Sequence, residues 1–307
     1  MALFFAFLAK IAPFYFIIII GYLVGRFVDI NRETVAKILI YTVAPVVIFN
    51  GMFIAKISTA TLVLPFVFFG IGSSLCAGFY CVSKYINLPD AEKRIITFAS
   101  GTANTGYFGL PIAIVIFGHD VIPVVVLLGI GTILYESTIG FFIIAKGCYS
   151  TKNSLKHLAK LPNIYACIAG LVFNVLHINL GGGYSFIANS FLSSYLVLGM
   201  LLIGLGISNI KKLNFDYRFN LILFFIKFIA WPVLTLAFIA VTNYLMPGFF
   251  SSTLMSIMFF MSVVPLATNT IVYTTFFNLH PEKTALVVLL STLWSIFYIP
   301  VMIILFQ

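Results

Sequence analysis

Apolar segments of eighteen or more residues recur along the whole length of this 307-residue chain, separated only by short polar stretches. Each is long enough to cross a bilayer core of about 30 Å as a helix rising about 1.5 Å per residue. Backbone in hydrocarbon finds no water to bond, so only helices and closed barrels cross it. Barrel strands alternate apolar and polar positions, whereas these runs are continuous. The composition agrees: 62% of residues are hydrophobic and 8% charged, against about 25% charged in soluble domains. The chain reads as an all-α polytopic membrane protein.

Ten spans are predicted, at approximately 5–26, 34–54, 61–84, 93–118, 121–145, 162–180, 186–209, 218–243, 251–278 and 284–306. The longest soluble stretch, KGCYSTKNSLKHLAKL at 146–161, divides the chain into two halves of five spans, 1–145 and 162–307. With the N-terminus outside, the inner loops and adjoining helix ends hold fourteen of the seventeen Lys and Arg. That asymmetry predicts a cytoplasmic central loop and both termini outside. An odd number of spans per half inverts one half relative to the other, an arrangement common in secondary transporters.

The net charge of +9 fits this loop bias and is no sign of nucleic acid, because no soluble domain is present to carry a basic patch. The four cysteines, Cys76, Cys81, Cys148 and Cys167, lack metal-ligand spacing and read as free thiols. His119, His177 and His280 fall at loop ends and His157 in the basic loop, which predicts no metal site. The first span has no small-residue cleavage site after Arg26 and is expected to remain as a mature helix.

Two stretches are too polar for lipid. GTANTGYFGLP at 101–111 interrupts the fourth span, and SVVPLATNT at 262–270 interrupts the ninth, its counterpart in the other half. Proline lacks an N–H and clashes with the carbonyl four residues back. Pro111 is therefore expected to free the carbonyl of Tyr107, and Pro265 that of Met261. Each break ends one half-helix in free carbonyls and starts another with free N–H groups, whose partial positive charge attracts anions. Asn104 and Asn269 add donors and acceptors, and Thr102, Thr105, Thr268 and Thr270 add hydroxyls. The bland alternative is that these small polar residues only pack helices closely. Paired breaks at equivalent positions favour a binding site formed by Thr102, Asn104, Thr105, Gly106, Pro111, Pro265, Thr268, Asn269 and Thr270. Pro13, Pro45, Pro65 and Pro232 read as simple kinks.

GTANTGYFGLPI, the early APVVIFNGM, and the late VPLATNT followed by LVVLLSTLWSIFYIP resemble the auxin efflux carrier family, over nearly the whole chain. That family includes bacterial permeases for malate and malonate and the plant auxin carriers. The resemblance implies ten transmembrane helices in two inverted five-helix repeats, with broken helices four and nine crossing near their prolines beside the substrate. It also implies a scaffold of spans one, two, six and seven and a transport domain of spans three to five and eight to ten. The bile acid sodium symporters share this fold and use an acidic residue at the span-nine crossing for sodium. This chain offers Pro265, Thr268 and Asn269 there instead, which puts that sodium site in doubt.

Two charges fall deep within spans, Glu136 in YESTIG and Lys227 in FFIKFIAWP. Charges at such depth face cavities or partners and often mark ion paths. The expectation is a shared polar pocket in which Lys227 replaces a bound cation; a structural pair or a snorkelling lysine is the alternative. The leading function is alternating-access transport of a small organic anion by rocking or sliding one bundle against the other. A sodium- or proton-coupled relative and a receptor without transport are the alternatives. An intramembrane enzyme is disfavoured, because paired acids or a metal cluster within spans are missing from the sequence. No cofactor is expected beyond a coupling proton or sodium ion. The expected partners are the anion, membrane lipid and a second copy through the scaffold helices, in a bacterial inner membrane.

Overall fold

The computed structural model describes residues 2–28, 30–145, 162–208 and 215–306, and every regular element among them is a helix. The helices are α1 (Ala2–Phe27), α2 (Arg32–Ile38), α3 (Ala44–Phe53), α4 (Thr59–Ser83), α5 (Asp90–Ser100), α6 (Leu110–Phe117), α7 (Ile122–Tyr135) and α8 (Phe141–Ile144). They continue as α9 (Pro162–Val175), α10 (Gly182–Ser208), α11 (Tyr217–Phe225), α12 (Trp231–Leu245), α13 (Ser252–Ser262), α14 (Asn269–Phe276) and α15 (Pro281–Phe306). The central loop 146–161, with Cys148 and His157, lies outside the described residues, as do Lys211 and Lys212.

Seven stretches among the described residues are long and apolar enough to cross a membrane: Leu8–Phe27, Glu33–Phe53, Thr59–Ser83, His119–Ile144, Gly182–Ser208, Tyr217–Leu245 and Pro281–Phe306. They coincide with expected spans one, two, three, five, seven, eight and ten. The other three differ from uniform spans. The fourth and ninth are each two short helices joined by non-helical backbone, and the sixth has only the fourteen residues of α9 in helix.

Several starts follow from side-chain caps. Asn31 accepts the N–H of Thr34, Asp216 that of Phe219 and Ser251 that of Leu254, while Ser58 and Thr61 cap each other reciprocally. Four π-helical turns lie inside longer rods: Leu39–Val43, Thr105–Gly109, Glu136–Gly140 and Ile226–Ala230. Three of them end two residues before a proline, at Pro45, Pro111 and Pro232. The cause is local. Proline cannot donate to the turn before it and crowds the carbonyl four residues back, and a wider turn moves that carbonyl away. Pro13, Pro65 and Pro300 stay within α-helix.

Packing in the bundle depends on close backbone approach, as expected where lipid tails supply no hydrophobic drive between helices. Helix α1 lies along α10 with Gly21 and Gly204 at the crossing. A Cβ at Gly204 would stand 2.1 Å from the carbonyl oxygen of Ile18. Helix α9 lies along α3, and Asn174 of α9 donates to the carbonyls of Met52, Phe53 and Ala55 at the end of α3. Helix α7 packs on α4, and Tyr15 of α1 donates to the carbonyl of Thr292 in α15 at 2.7 Å.

Candidate functional site

The two breaks meet in the interior. The first runs from Gly101 to Asn104 between α5 and the π-helical turn leading into α6, and the second from Val263 to Thr268 between α13 and α14. The backbone N–H of Asn104 donates to the carbonyl of Pro265 at 3.0 Å. Asn104 Nδ2 donates to Thr268 Oγ1 at 3.0 Å, and the hydroxyls of Thr102 and Thr270 lie 3.4 Å apart. These bonds join residues more than 160 positions apart in sequence. They also satisfy polar groups that would otherwise be stranded at this depth.

The break falls within the expected stretch 101–111 but ahead of Pro111. Helix α5 ends at Ser100, eleven residues earlier, and Pro111 sits in the second position of α6, behind its π-helical turn. The Tyr107 carbonyl therefore does not mark the interruption. Pro265 lies within the second break itself rather than in a helix, so its effect on Met261 is not that of a mid-helix proline. Its carbonyl serves as the acceptor for the opposite break.

The C-terminal end of α5 is closed by side chains from elsewhere. Tyr135 of α7 donates to the carbonyls of Phe98 and Thr97 at 2.9 and 3.3 Å, and Trp231 Nε1 of α12 donates to the carbonyl of Ser100 at 2.8 Å. Gly101 must stay small at this point, because its backbone comes against Gly72 and the Tyr135 ring. The N-terminal ends remain open. Neither the turn beginning at Thr105 nor α14 beginning at Asn269 has a side-chain cap. The amides of Thr105, Thr270 and Ile271 bond to nearby backbone carbonyls, and both starts present the positive end of a helix dipole.

Those two starts line one cavity of about 260 Å³. Asn104, Thr105, Gly106, Thr268 and Asn269 stand in its wall, together with Glu136. The remaining expected site residues do not line it: Thr102 and Thr270 face each other behind it, Pro265 bonds across the break, and Pro111 lies further along α6. Much of the wall is aliphatic, including Ile40, Val47, Leu110, Val126 and Ile133, and among the described residues no Lys, Arg or His is part of it.

Glu136 begins the π-helical turn that no proline accounts for, and its Oε2 accepts from Asn269 Nδ2 at 3.0 Å. Lys227 stands apart. Its ammonium is buried with no hydrogen-bond partner among the described residues, 4.5 Å above the ring of Trp231. The expected pairing of Glu136 with Lys227 is therefore corrected, since no ion pair or hydrogen bond joins them. The reason is geometric: Trp231, one turn on, covers the lysine's own face and ties it to the end of α5, while Glu136 points to the other break.

The sequence reading missed Tyr107, Ser137, Asn163, Tyr195 and Tyr273 as wall residues. Asn163, in the first turn of α9, has a buried Oδ1 with no partner among the described residues. A polar residue opening a short span was its only sequence signal. The tyrosines gave none. Cys76, Cys81 and Cys167 are free.

A multi-helix apolar protein whose interrupted helices meet at an internal cavity has the architecture of a membrane carrier. Residues 6–303 match the family model described as membrane transport protein, and the chain belongs to that family, the auxin efflux carriers. An uncharacterized transporter of Methanocaldococcus jannaschii is 27% identical over 297 residues, covering 92% of this chain and 93% of that protein.

Proposed function

We propose that this membrane transporter is a secondary carrier of a small organic anion, a carboxylate such as malate, malonate or an auxin-like acid, working by alternating access. The observation that carries this reading is the pair of uncapped helix starts, at Thr105 and Asn269, opening on one cavity. Such ends hold an anion without a fixed cation, and among the described residues the wall has no basic side chain. The aliphatic part of the wall accommodates the body of an organic acid.

The architecture in this reading is ten membrane-crossing helices in two inverted repeats, 1–145 and 162–307, with both termini on the periplasmic side of a bacterial inner membrane. Spans one, two, six and seven form the scaffold, and the other six move against it in an elevator-like step. Mutual packing of α1 with α10 and of α3 with α9 supports the first group. Packing of α4 with α5 and α7, and of α11 with α5, supports the second. A second copy docks through the scaffold.

Counterflow of radiolabelled malate, malonate and indole-3-acetate in proteoliposomes tests the proposal. Saturable exchange of at least one acid is expected. Binding without exchange would instead identify a receptor, and exchange of none of them would remove the organic-anion reading.

A further inference from the structure

We propose that Glu136 is a proton-carrying stand-in for the cargo's carboxylate. Ionised, it holds the donor of Asn269 in the empty cavity; on taking up a proton it gives that donor to the cargo, so each carboxylate crosses with one proton. This rests on the anion-carrier reading above and adds to it the coupling ion and the group that carries it.

Four observations support the assignment. Glu136 shares the cavity wall with Asn104, Thr268 and Asn269 and accepts from Asn269, so the side chain and an anionic cargo compete for that donor. Its hydrogen-bond partner is the amide of Asn269 rather than a cation, and an ionised carboxylate buried without a cation is costly. The residue is 5% exposed, so little water reaches it to screen repulsion from a bound anion. Its π-helical turn also lacks the proline that accounts for the other three, and turns of this kind gather at functional sites.

Among the described residues, the groups around it offer no substitute charge. Its own element contributes Tyr135 and Ser137, α14 contributes Tyr273, and the far wall contributes Tyr107 and Tyr195. Helix α4 contributes Cys76, beside Tyr135. Phenols and thiols carry no charge at neutral pH. Helix α5 has Asp90, Glu92, Lys93 and Arg94 within its first five residues, and none of these lines the cavity. Helix α8 brings only Phe and Ile.

The proton comes from water on the side to which the cavity opens and adds to a carboxylate oxygen of Glu136, whose hydrogen bond from Asn269 is released. Asn269 Nδ2 then donates to the cargo's carboxylate beside the two helix starts. On the far side the cargo leaves, the proton returns to water, and Glu136 recovers Asn269. No net charge is left in the cavity beyond that of the cargo.

The test uses the full-length protein in proteoliposomes, with malate and malonate as probes at neutral to alkaline pH, where both are fully ionised. Wild-type apparent affinity should weaken about tenfold per pH unit once Glu136 is ionised, as linkage to one proton requires. Glu136→Gln, which mimics the protonated form, should exchange cargo with an affinity independent of pH. Independently of any variant, an imposed gradient of the exchanged acid should drive a proton flux recorded by a trapped pH dye in wild-type vesicles. Wild-type exchange without proton flux, or Glu136→Gln that keeps the pH dependence, overturns this inference and leaves the carrier reading standing. Absence of any exchange by wild type removes both.

Discussion

Asn104 and Asn269 occupy matching places in the two breaks but hold different partners. Asn104 is buried and braces one break against the other through Thr268, whereas Asn269 is half-buried at the wall and donates to Glu136. A hydrogen bond to a charged group contributes about 1.5–3 kcal/mol, roughly 10- to 150-fold in affinity. Asn269→Ala should therefore weaken cargo binding by that factor. It also takes from the buried Glu136 carboxylate its hydrogen bond, so the melting temperature should fall, and that fall should disappear in the Glu136→Gln background. Asn104→Ala should lower affinity and melting temperature together, because it strands Thr268 in the interior. Exchange and thermal melting on the same preparations, with and without Glu136→Gln, separate the two. Unchanged affinity in both variants would reduce the crossing to a packing device. Lys227 invites a different substitution. An ammonium buried without a hydrogen bond is a cost that an apolar side chain of similar shape avoids. Lys227→Met should melt at or above the wild-type temperature. Its effect should add to that of Glu136→Gln within about 0.3–0.5 kcal/mol, as for sites that share no partner. A large fall in melting temperature would show that the ammonium has a partner it needs.

At the scale of elements, the two halves of the chain are fastened by charge as well as by the crossed breaks. Lys283 at the start of α15 donates to Glu92 of α5 at 2.5 Å and to Asp216, the cap of α11, at 2.9 Å. The Glu92 side chain is only 4% exposed. Removing the cation leaves that carboxylate uncompensated, so Lys283→Met should cost about 3–5 kcal/mol, and adding Glu92→Gln should recover most of it. Thermal melting in detergent measures both. The Lys283 ammonium and the N–H of Phe219 hold the Asp216 carboxyl below the usual aspartate range. Its folded value thus lies below its unfolded one, and the stability it lends is present at neutral pH and lost as pH falls through the folded value. The melting-temperature gap between wild type and Asp216→Asn should narrow in acid. A gap that is constant with pH would mean that Asp216 acts only as a neutral cap.

For the whole molecule, the decisive expectation is orientation. The bias of Lys and Arg predicts that position 156 lies in the cytoplasm and position 307 outside. In a background without native cysteines, Gln307→Cys should react with an impermeant thiol reagent on intact cells, and Lys156→Cys only after lysis. The reverse pattern would turn the carrier over in the membrane and undo the inverted arrangement as oriented here.

Much of the molecule was legible in the sequence, and the limits have a physical cause. Partition into hydrocarbon acts segment by segment, so continuous apolar runs declared an all-helical membrane protein before any contact was known. Seven small or polar residues in succession from Ser100 to Gly106 leave a helix no face for lipid, so the first break was visible by composition, and its counterpart by position. Proline chemistry was legible only in kind. Pro45, Pro111 and Pro232 each follow a widened turn, which depends on how neighbouring helices let the rod bend, and Pro111 thereby lost its place at the break. What meets what was decided by tertiary structure alone. Asn269 finds Glu136 across 133 residues of sequence, and Lys283 finds Glu92 across 191. Lys227, the obvious candidate partner for Glu136, is instead held beneath Trp231. Pairings at such separations are fixed by which helix faces come together when the bundle packs, and local composition carries no record of them.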